Sequence, residues 1–233
     1  MLTTDFVDYL YHLLVNHKAD MSVCQKEFVD EQGKPMPDGT VYFDRVYRGN
    51  RACMAGLLRD PELEVWAWGK LYRTDMFRNV SYPVGKYHED VFTTYLLTAQ
   101  CRCVACGSEK KYLYRQREGS IVHQRFSPKH LDAIEGSLRK YQFVSKRYPG
   151  LMHLAGADLV WAANSCAMRL VRSDELDSQT VAGLQPYYRR YILFFLLGNS
   201  SIPAKLFAAA GAIHLNTLLE AVSRLYALRR NHK

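Results

Sequence analysis

Ser127-Pro128-Lys129-His130-Leu131-Asp132 divides this sequence into two kinds of chain. A serine hydroxyl can accept from the free N–H groups of a first helical turn, and proline suits the first helical position because it has no N–H to leave unpaired. The pair therefore marks a helix start. From here onward every segment carries helical spacing, and helices are predicted near 128–147, 152–171, 178–197 and 203–229. The predicted breaks are Pro149-Gly150, Ser173-Asp174 and the run from Gly198 to Pro203.

Upstream the pattern is mixed. Residues 5–17 place Phe6, Leu10, Leu13, Leu14 and His17 at helical spacing, with Asp5 placed to cap the start. Ala19 to Val29 alternates and ends at Asp30-Glu31-Gln32-Gly33, as a strand entering a turn does. Phe43 to Leu58 is predicted as a helix closed by Asp60-Pro61, and Val65 to Tyr72 as a short strand. A further helix is predicted from Glu89-Asp90, burying Val91, Phe92, Tyr95, Leu96 and Ala99. Two short strands, Cys101–Cys106 and Lys111–Gln116, are predicted around a turn at Gly107-Ser108. The expected fold class is α/β over residues 1–126 and all-α over residues 127–233, with no internal repeat.

The chain has 233 residues, of which 48% are hydrophobic, enough for a sizeable core and too apolar for a disordered chain. Lys and Arg exceed Asp and Glu by one over residues 1–128 and by seven over residues 129–233, so the positive excess lies behind Ser127. Such an excess serves solubility first, or an anionic lipid surface or nucleic acid. Nucleic acid has little support, because no zinc-finger spacing, RNA-recognition signature or dense basic run is present. Six cysteines with no leader peptide point to a reducing compartment, the cytoplasm by default. The apolar stretches Tyr191–Leu197 and Ile202–Leu215 are separated by Gly198-Asn199-Ser200-Ser201 and Pro203, so no membrane-spanning segment is expected.

Three blocks carry chemistry. His88-Glu89-Asp90 sets carboxylates in a first helical turn, where the helix N-terminus favours a negative charge. Capping alone explains that placement, yet a rigidly held, ionised carboxylate is also what a general base requires. Trp66-Ala67-Trp68-Gly69-Lys70-Leu71-Tyr72 offers indole faces on which a sugar ring could stack, or else the tryptophans of a buried strand; Lys70 is a charge in an apolar run and calls for a partner. Tyr112-Leu113-Tyr114-Arg115-Gln116-Arg117-Glu118-Gly119-Ser120-Ile121 ends a strand with two arginines that can fork onto phosphate oxygens, beside a glycine turn whose N–H groups could do the same. A solvated strand end pairing with Glu118 explains it equally. Cys101-x-Cys103-x-x-Cys106 lacks a fourth ligand at finger spacing, with Cys24, Cys53 and Cys166 isolated, so no metal site is expected.

The three blocks in this order, over residues 1 to about 145, resemble bacterial family 2 glycosyltransferases, nucleotide-sugar enzymes of GT-A (Rossmann-like) fold. The opening Thr3-Thr4-Asp5-Phe6-Val7-Asp8-Tyr9-Leu10-Tyr11 is similar to the helix that follows the metal-binding aspartates in that family. The resemblance implies an inverting transfer from a nucleotide-sugar, UDP-linked in the usual case, to a saccharide or glycolipid hydroxyl during cell-envelope polysaccharide biosynthesis. It implies Asp90 as general base with Glu89 beside it, Trp68, Lys70 and His88 at the acceptor and donor sugar, and Arg115 and Arg117 at the diphosphate. It also implies Mg²⁺ or Mn²⁺. The sequence departs from the family in one large respect: it has no D-x-D motif, and it starts where the nucleotide-binding half of the family would end. On this reading Met1 is an internal methionine or a true start, and a complementing N-terminal half supplies the metal ligands.

The alternative expectation is an inactive fragment or interaction module that uses its basic helical tail on a partner or at the inner face of a membrane. In 203–229, Leu206, Ala210, Ile213, Leu218, Val222, Leu225 and Leu228 fall broadly on one side, with Arg224, Arg229, Arg230 and Lys233 near the end. Such a face reads first as core.

Overall fold

The computed structural model describes residues 1–117, 120, 124–173, 176–198 and 200–230. The chain forms two compact units, one of residues 1–84 and 89–124 and one of residues 85–88 and 125–233.

The first unit is built on a four-stranded sheet. In chain order it contains α1 (Phe6–His17), β1 (Met21–Val29), β2 (Arg45–Arg48), α2 (Asn50–Arg59), β3 (Lys70–Tyr72), α3 (Glu89–Thr98) and β4 (Cys103–Arg115). The strand order is β2-β4-β1-β3, with β1 and β4 parallel and the two edge strands antiparallel to their neighbours. Residues 21–26 of β1 are buried without alternation, as a strand covered on both faces must be. On one side Ser22, Cys103, Ala105 and Gly107 receive α1: the Ser22 hydroxyl donates to Leu10 O at 2.7 Å, and Leu13 packs on Cys103 and Ala105. The buried apolar faces of α2 (Cys53, Met54, Leu57) and α3 (Phe92, Tyr95, Leu97) complete this core.

Several boundaries differ from the sequence-based expectation, each for a local reason. Asp5 does precede α1, but its carboxylate makes no cap and instead pairs with Lys111 Nζ at 2.6 Å. The helix expected over 43–58 is β2 followed by α2, because Gly49, at φ 88°, reverses the chain between them. Tyr47 of β2 then lies across Gly56, where a Cβ would sit 2.6 Å from its ring. Only Lys70–Tyr72 of the expected strand 65–72 pairs as strand, since Gly69 (φ 70°) turns the chain into β3 against Cys24. The two strands expected around Gly107-Ser108 are one, β4. There the register against β1 slips, and Gln25 Nε2 donates to Gly107 O at 3.0 Å and to Glu62 O at 3.3 Å.

The second unit is helical, as expected: α4 (Asp132–Arg147), α5 (Met152–Ser173), α6 (Ser178–Leu197) and α7 (Ile202–Arg230). Ser127 and Pro128 open a single 3₁₀ turn ahead of α4, with the Ser127 and His130 side chains reciprocally capping it. Its core runs through Leu159, Ala163, Cys166 and Leu170 of α5, Leu184, Tyr188 and Phe195 of α6, and Ala208, Leu215 and Leu219 of α7. Lys140 is buried among these helices and is held by Asp158 at 2.7 Å. The helix expected over 203–229 is interrupted at His214, whose φ of −146° and ψ of 85° are not helical. By length and composition alone, Ile202–Leu228 passes as a candidate crossing segment, with a window of mean hydropathy 1.3, although the break at His214 falls inside it.

Candidate functional site

An aromatic row on the β1–β4 pair forms the centre of the candidate site. Past the register slip, Lys26 lies beside Tyr112 and Phe28 beside Tyr114. The segment before β3 lays two indoles onto this surface. Trp66 stacks on Trp68 at 4.3 Å between ring centroids, and Trp68 stacks on Tyr112 at 4.4 Å. Tyr114 meets Trp68 at 5.3 Å and Phe28 at 5.6 Å. The Lys26 ammonium covers the Trp66 ring at 3.2 Å from its centroid and pairs with Glu64 at 3.8 Å.

This stacking limits which ring surfaces remain open. Trp66 and Tyr112 both stack on Trp68, so Trp68 presents an edge; of the two readings the sequence leaves open, a sugar-stacking face or tryptophans of a buried strand, this packing is closer to the second. Lys26 and Glu64 escaped the sequence reading, although the signal was present: Lys26 is a charge in a buried strand, the same observation that singled out Lys70. Tyr112-x-Tyr114 and Lys26-x-Phe28 also carry the two-residue spacing that puts side chains on one face of a strand.

Lys70 opens β3, and its Nζ donates to Trp66 O at 2.6 Å, which ties the indole segment down. Burial lowers its pKa to about 8 against the opposing pull of Cys106, Glu64 and Asp90. Burial likewise lowers Lys26 and raises Glu64, each opposed by the charge of the other.

Asp90 occupies the first turn of α3, as expected, and its Oδ1 accepts from Val91 N at 2.8 Å. The helix itself is fastened to the indole segment, since Thr94 Oγ1 donates to Val65 O, and Thr93 Oγ1 donates back to Glu89 O at 3.0 Å. Asp90 also acts electrostatically on Lys70, Tyr72 and Tyr82, so it belongs to the same charged neighbourhood. Glu89 is exposed. His88 falls in the second unit and adopts a left-handed backbone at φ 56°, which a β-carbon disfavours.

The two arginines are less concentrated. Arg115 ends β4 one residue beyond Tyr114, which by strand alternation turns it away from the aromatic row, and its Nη2 reaches Met1 Sδ at 2.8 Å. Arg117 is exposed in the segment that follows, where Ser120 N donates to Arg117 O at 3.3 Å. Glu118, Gly119 and Ile121 lie outside the described residues, and with them the expected turn and the Glu118 pairing.

The cysteines behave as small apolar residues. All six are free and buried, and burial pushes Cys24 up to about 11 and Cys53 and Cys166 up to about 12. Among the described residues no group of three or more His, Cys, Asp or Glu side chains is arranged to hold a metal ion.

No protein-family model matches the sequence. The glycosyltransferase GlyA of Streptococcus pneumoniae serotype 4 is 28% identical over 124 residues, which cover 50% of this chain and 18% of that protein. Half of the chain is thus distantly related to part of a glycosyltransferase.

Proposed function

We propose that this chain carries the acceptor side of a glycosyltransferase centre, of the family 2 kind with a GT-A fold, in which Asp90 is the general base. The observation that carries the proposal is the placement of Asp90: a carboxylate fixed in the first turn of α3, in one neighbourhood with Lys70 and an aromatic row, within a chain related to a glycosyltransferase over half its length. In the proposed reaction the acceptor hydroxyl gives its proton to Asp90 as its oxygen bonds to the anomeric carbon, and the bond from that carbon to the nucleotide diphosphate breaks with inversion.

Lys70 and the edge of Trp68 border the sugars, and Glu89 adjoins the base. Arg117 would meet the departing diphosphate, and Arg115 could join it only by leaving Met1 Sδ. A UDP-sugar is the proposed donor and an envelope polysaccharide or glycolipid the acceptor, on the cytoplasmic side of the membrane. Among the described residues no cluster of three or more His, Cys, Asp or Glu side chains offers Mg²⁺ or Mn²⁺ a site, so no step is assigned to a metal here; a complementing partner or segment would hold it.

Transfer is tested with labelled UDP-sugars and saccharide acceptors, on this chain and on any longer protein that contains it. Asp90→Asn should lower turnover by about 10²- to 10⁴-fold while donor binding, followed by calorimetry, is unchanged. Retained turnover in that variant removes Asp90 from its role. The alternative, a chain acting through its helical unit and not by catalysis, is favoured by the apolar residues left exposed on α6 and α7.

A further inference from the structure

The outer faces of α6 and of the first half of α7, up to Ile213, are apolar and exposed, and no acidic residue lies between Ser178 and Leu219. Leu193 and Leu197 of α6, and Ile202, Leu206 and Ile213 of α7, are between 66% and 84% exposed. On α7 these residues fall four and then seven positions apart, within one narrow stripe of the helix. On α6 the same regularity joins Pro186, Arg190, Leu193 and Leu197. The two stripes adjoin, because Arg189 of α6 donates to Ala212 O at 3.2 Å and Ile213 O at 3.4 Å of α7.

Charge identifies what such a face would meet. From Ser178 to Leu219 the sequence contains no Asp or Glu, and its cations there are Arg189, Arg190 and Lys205. Between the apolar stripe and the start of α6 lies an open cleft of about 520 Å³, lined by Ala182, Gln185, Pro186, Arg189 and Arg190. Over α6 and the first half of α7 the charges alongside the apolar stripe are positive, Glu220 following only beyond the break at His214, and such a face complements an anionic bilayer surface, where acyl chains take the leucines and headgroup phosphates take the arginines.

We infer that the α6–α7 hairpin is an in-plane docking face for an anionic lipid membrane. Lying in the interface fits this unit better than spanning it. Ala208, Leu215 and Leu219, on the other side of α7, are fully buried in the helical core, so one flank of the helix is already committed to protein. The break at His214 and the presence of Glu220 and Arg224 also oppose a single crossing.

The full chain is mixed with phosphatidylcholine vesicles, with and without phosphatidylglycerol, at low and high salt, and binding is read by co-sedimentation. It should bind the anionic vesicles at low salt and be largely released at high salt. Leu193→Asp with Leu206→Asp should weaken binding about tenfold or more, and Arg190→Gln with Lys205→Gln by roughly fivefold per cation. Far-UV circular dichroism and thermal melting verify that these exposed substitutions leave the fold intact. Failure to bind anionic vesicles overturns the inference. So does equal binding to neutral vesicles that ignores the loss of Arg190 and Lys205. A dimer that Leu206→Asp dissociates, without vesicle binding, would assign the face to a second copy of the chain. Resistance to alkaline carbonate extraction would show a spanning helix and equally refute in-plane docking.

Discussion

Lys70 permits a sharp test of the candidate site, because its ammonium is held in the fold at a proton affinity far from that of the unfolded chain. Its pKa falls from 10.5 to about 8, chiefly by burial. Below about pH 8 both folded and unfolded chains carry the proton, and the folded state bears the full cost of the buried charge, at most about 3 kcal/mol. As pH rises through the folded pKa the folded lysine gives up its proton while the unfolded one keeps it. The unfolded state then binds more protons, and stability rises until the unfolded lysine also titrates. Between about pH 7 and about pH 9.5 this single group should add about 2 kcal/mol to the unfolding free energy. Buried cysteines and tyrosines, whose proton affinity is raised, push the other way above their unfolded pKa values, so the total curve is not diagnostic. The difference between wild type and Lys70→Met is. Urea unfolding followed by tryptophan fluorescence, repeated across that range, should show the wild type gaining about 2 kcal/mol on the variant. A difference that stays flat with pH would refute a desolvated Lys70 ammonium. Asp90→Asn, by removing a charge that holds the lysine proton, should move the same titration to lower pH.

Three further outcomes test the packing around the site and the helical unit. Gly107→Ala should destabilise the first unit by about 1–3 kcal/mol in urea unfolding, since the added Cβ would lie 1.9 Å from Tyr9 Oη and 2.8 Å from Leu13 Cδ1. Tyr9→Phe should recover only part of that loss, because Tyr9 Cζ, at 2.7 Å, still obstructs the new Cβ; full recovery or no loss at all contradicts the contact. Gln185→Leu should cost about 1–3 kcal/mol, because Gln185 donates to Gly211 O at 2.6 Å and Ala212 O at 3.1 Å and accepts from Leu215 N at 2.9 Å, closing the gap in the α7 ladder at His214; an unchanged melt refutes that role. Native chain treated with a thiol reagent should label slowly at all six cysteines and rapidly only after unfolding, and fast native labelling would contradict their burial.

The helical half was readable because its signals are local. Ser127-Pro128, Pro149-Gly150 and the run after Gly198 each punctuate the chain within a few residues, and the four helices fall where that punctuation puts them. The break at His214 was hidden because its stabilisation comes from Gln185, which lies far away in sequence. The exposed side of α7 was hidden for a related reason. Periodicity grouped Leu206 and Ile213 with Leu218 and Val222 on one apolar side, but only packing against α5 and α6 decides that Ala208, Leu215 and Leu219 face the core while Leu206 and Ile213 remain outside. Sequence gives the amphipathic angle broadly, and the partner helices choose the part of it that is buried.

In the sheet-bearing half the differences at the element boundaries centre on glycines whose backbone geometry and close contacts are not visible in the spacing of apolar residues. Gly49 and Gly69 take positive φ and end one element before the next begins, while Gly56 and Gly107 admit the rings of Tyr47 and Tyr9. The same consideration bears on the site. Gly69 brings the indole segment back against Cys24, where its own Cβ would stand 3.3 Å from Cys24 O, and thereby places Trp66 under Lys26 and Trp68 against Tyr112. The aromatic row is therefore a consequence of one backbone turn together with the Lys26–Tyr112 and Phe28–Tyr114 register, neither of which the Trp-Gly-Lys motif displays when read along the chain. The motif correctly located the segment, whereas the choice of which aromatic surface meets solvent belongs to the sheet.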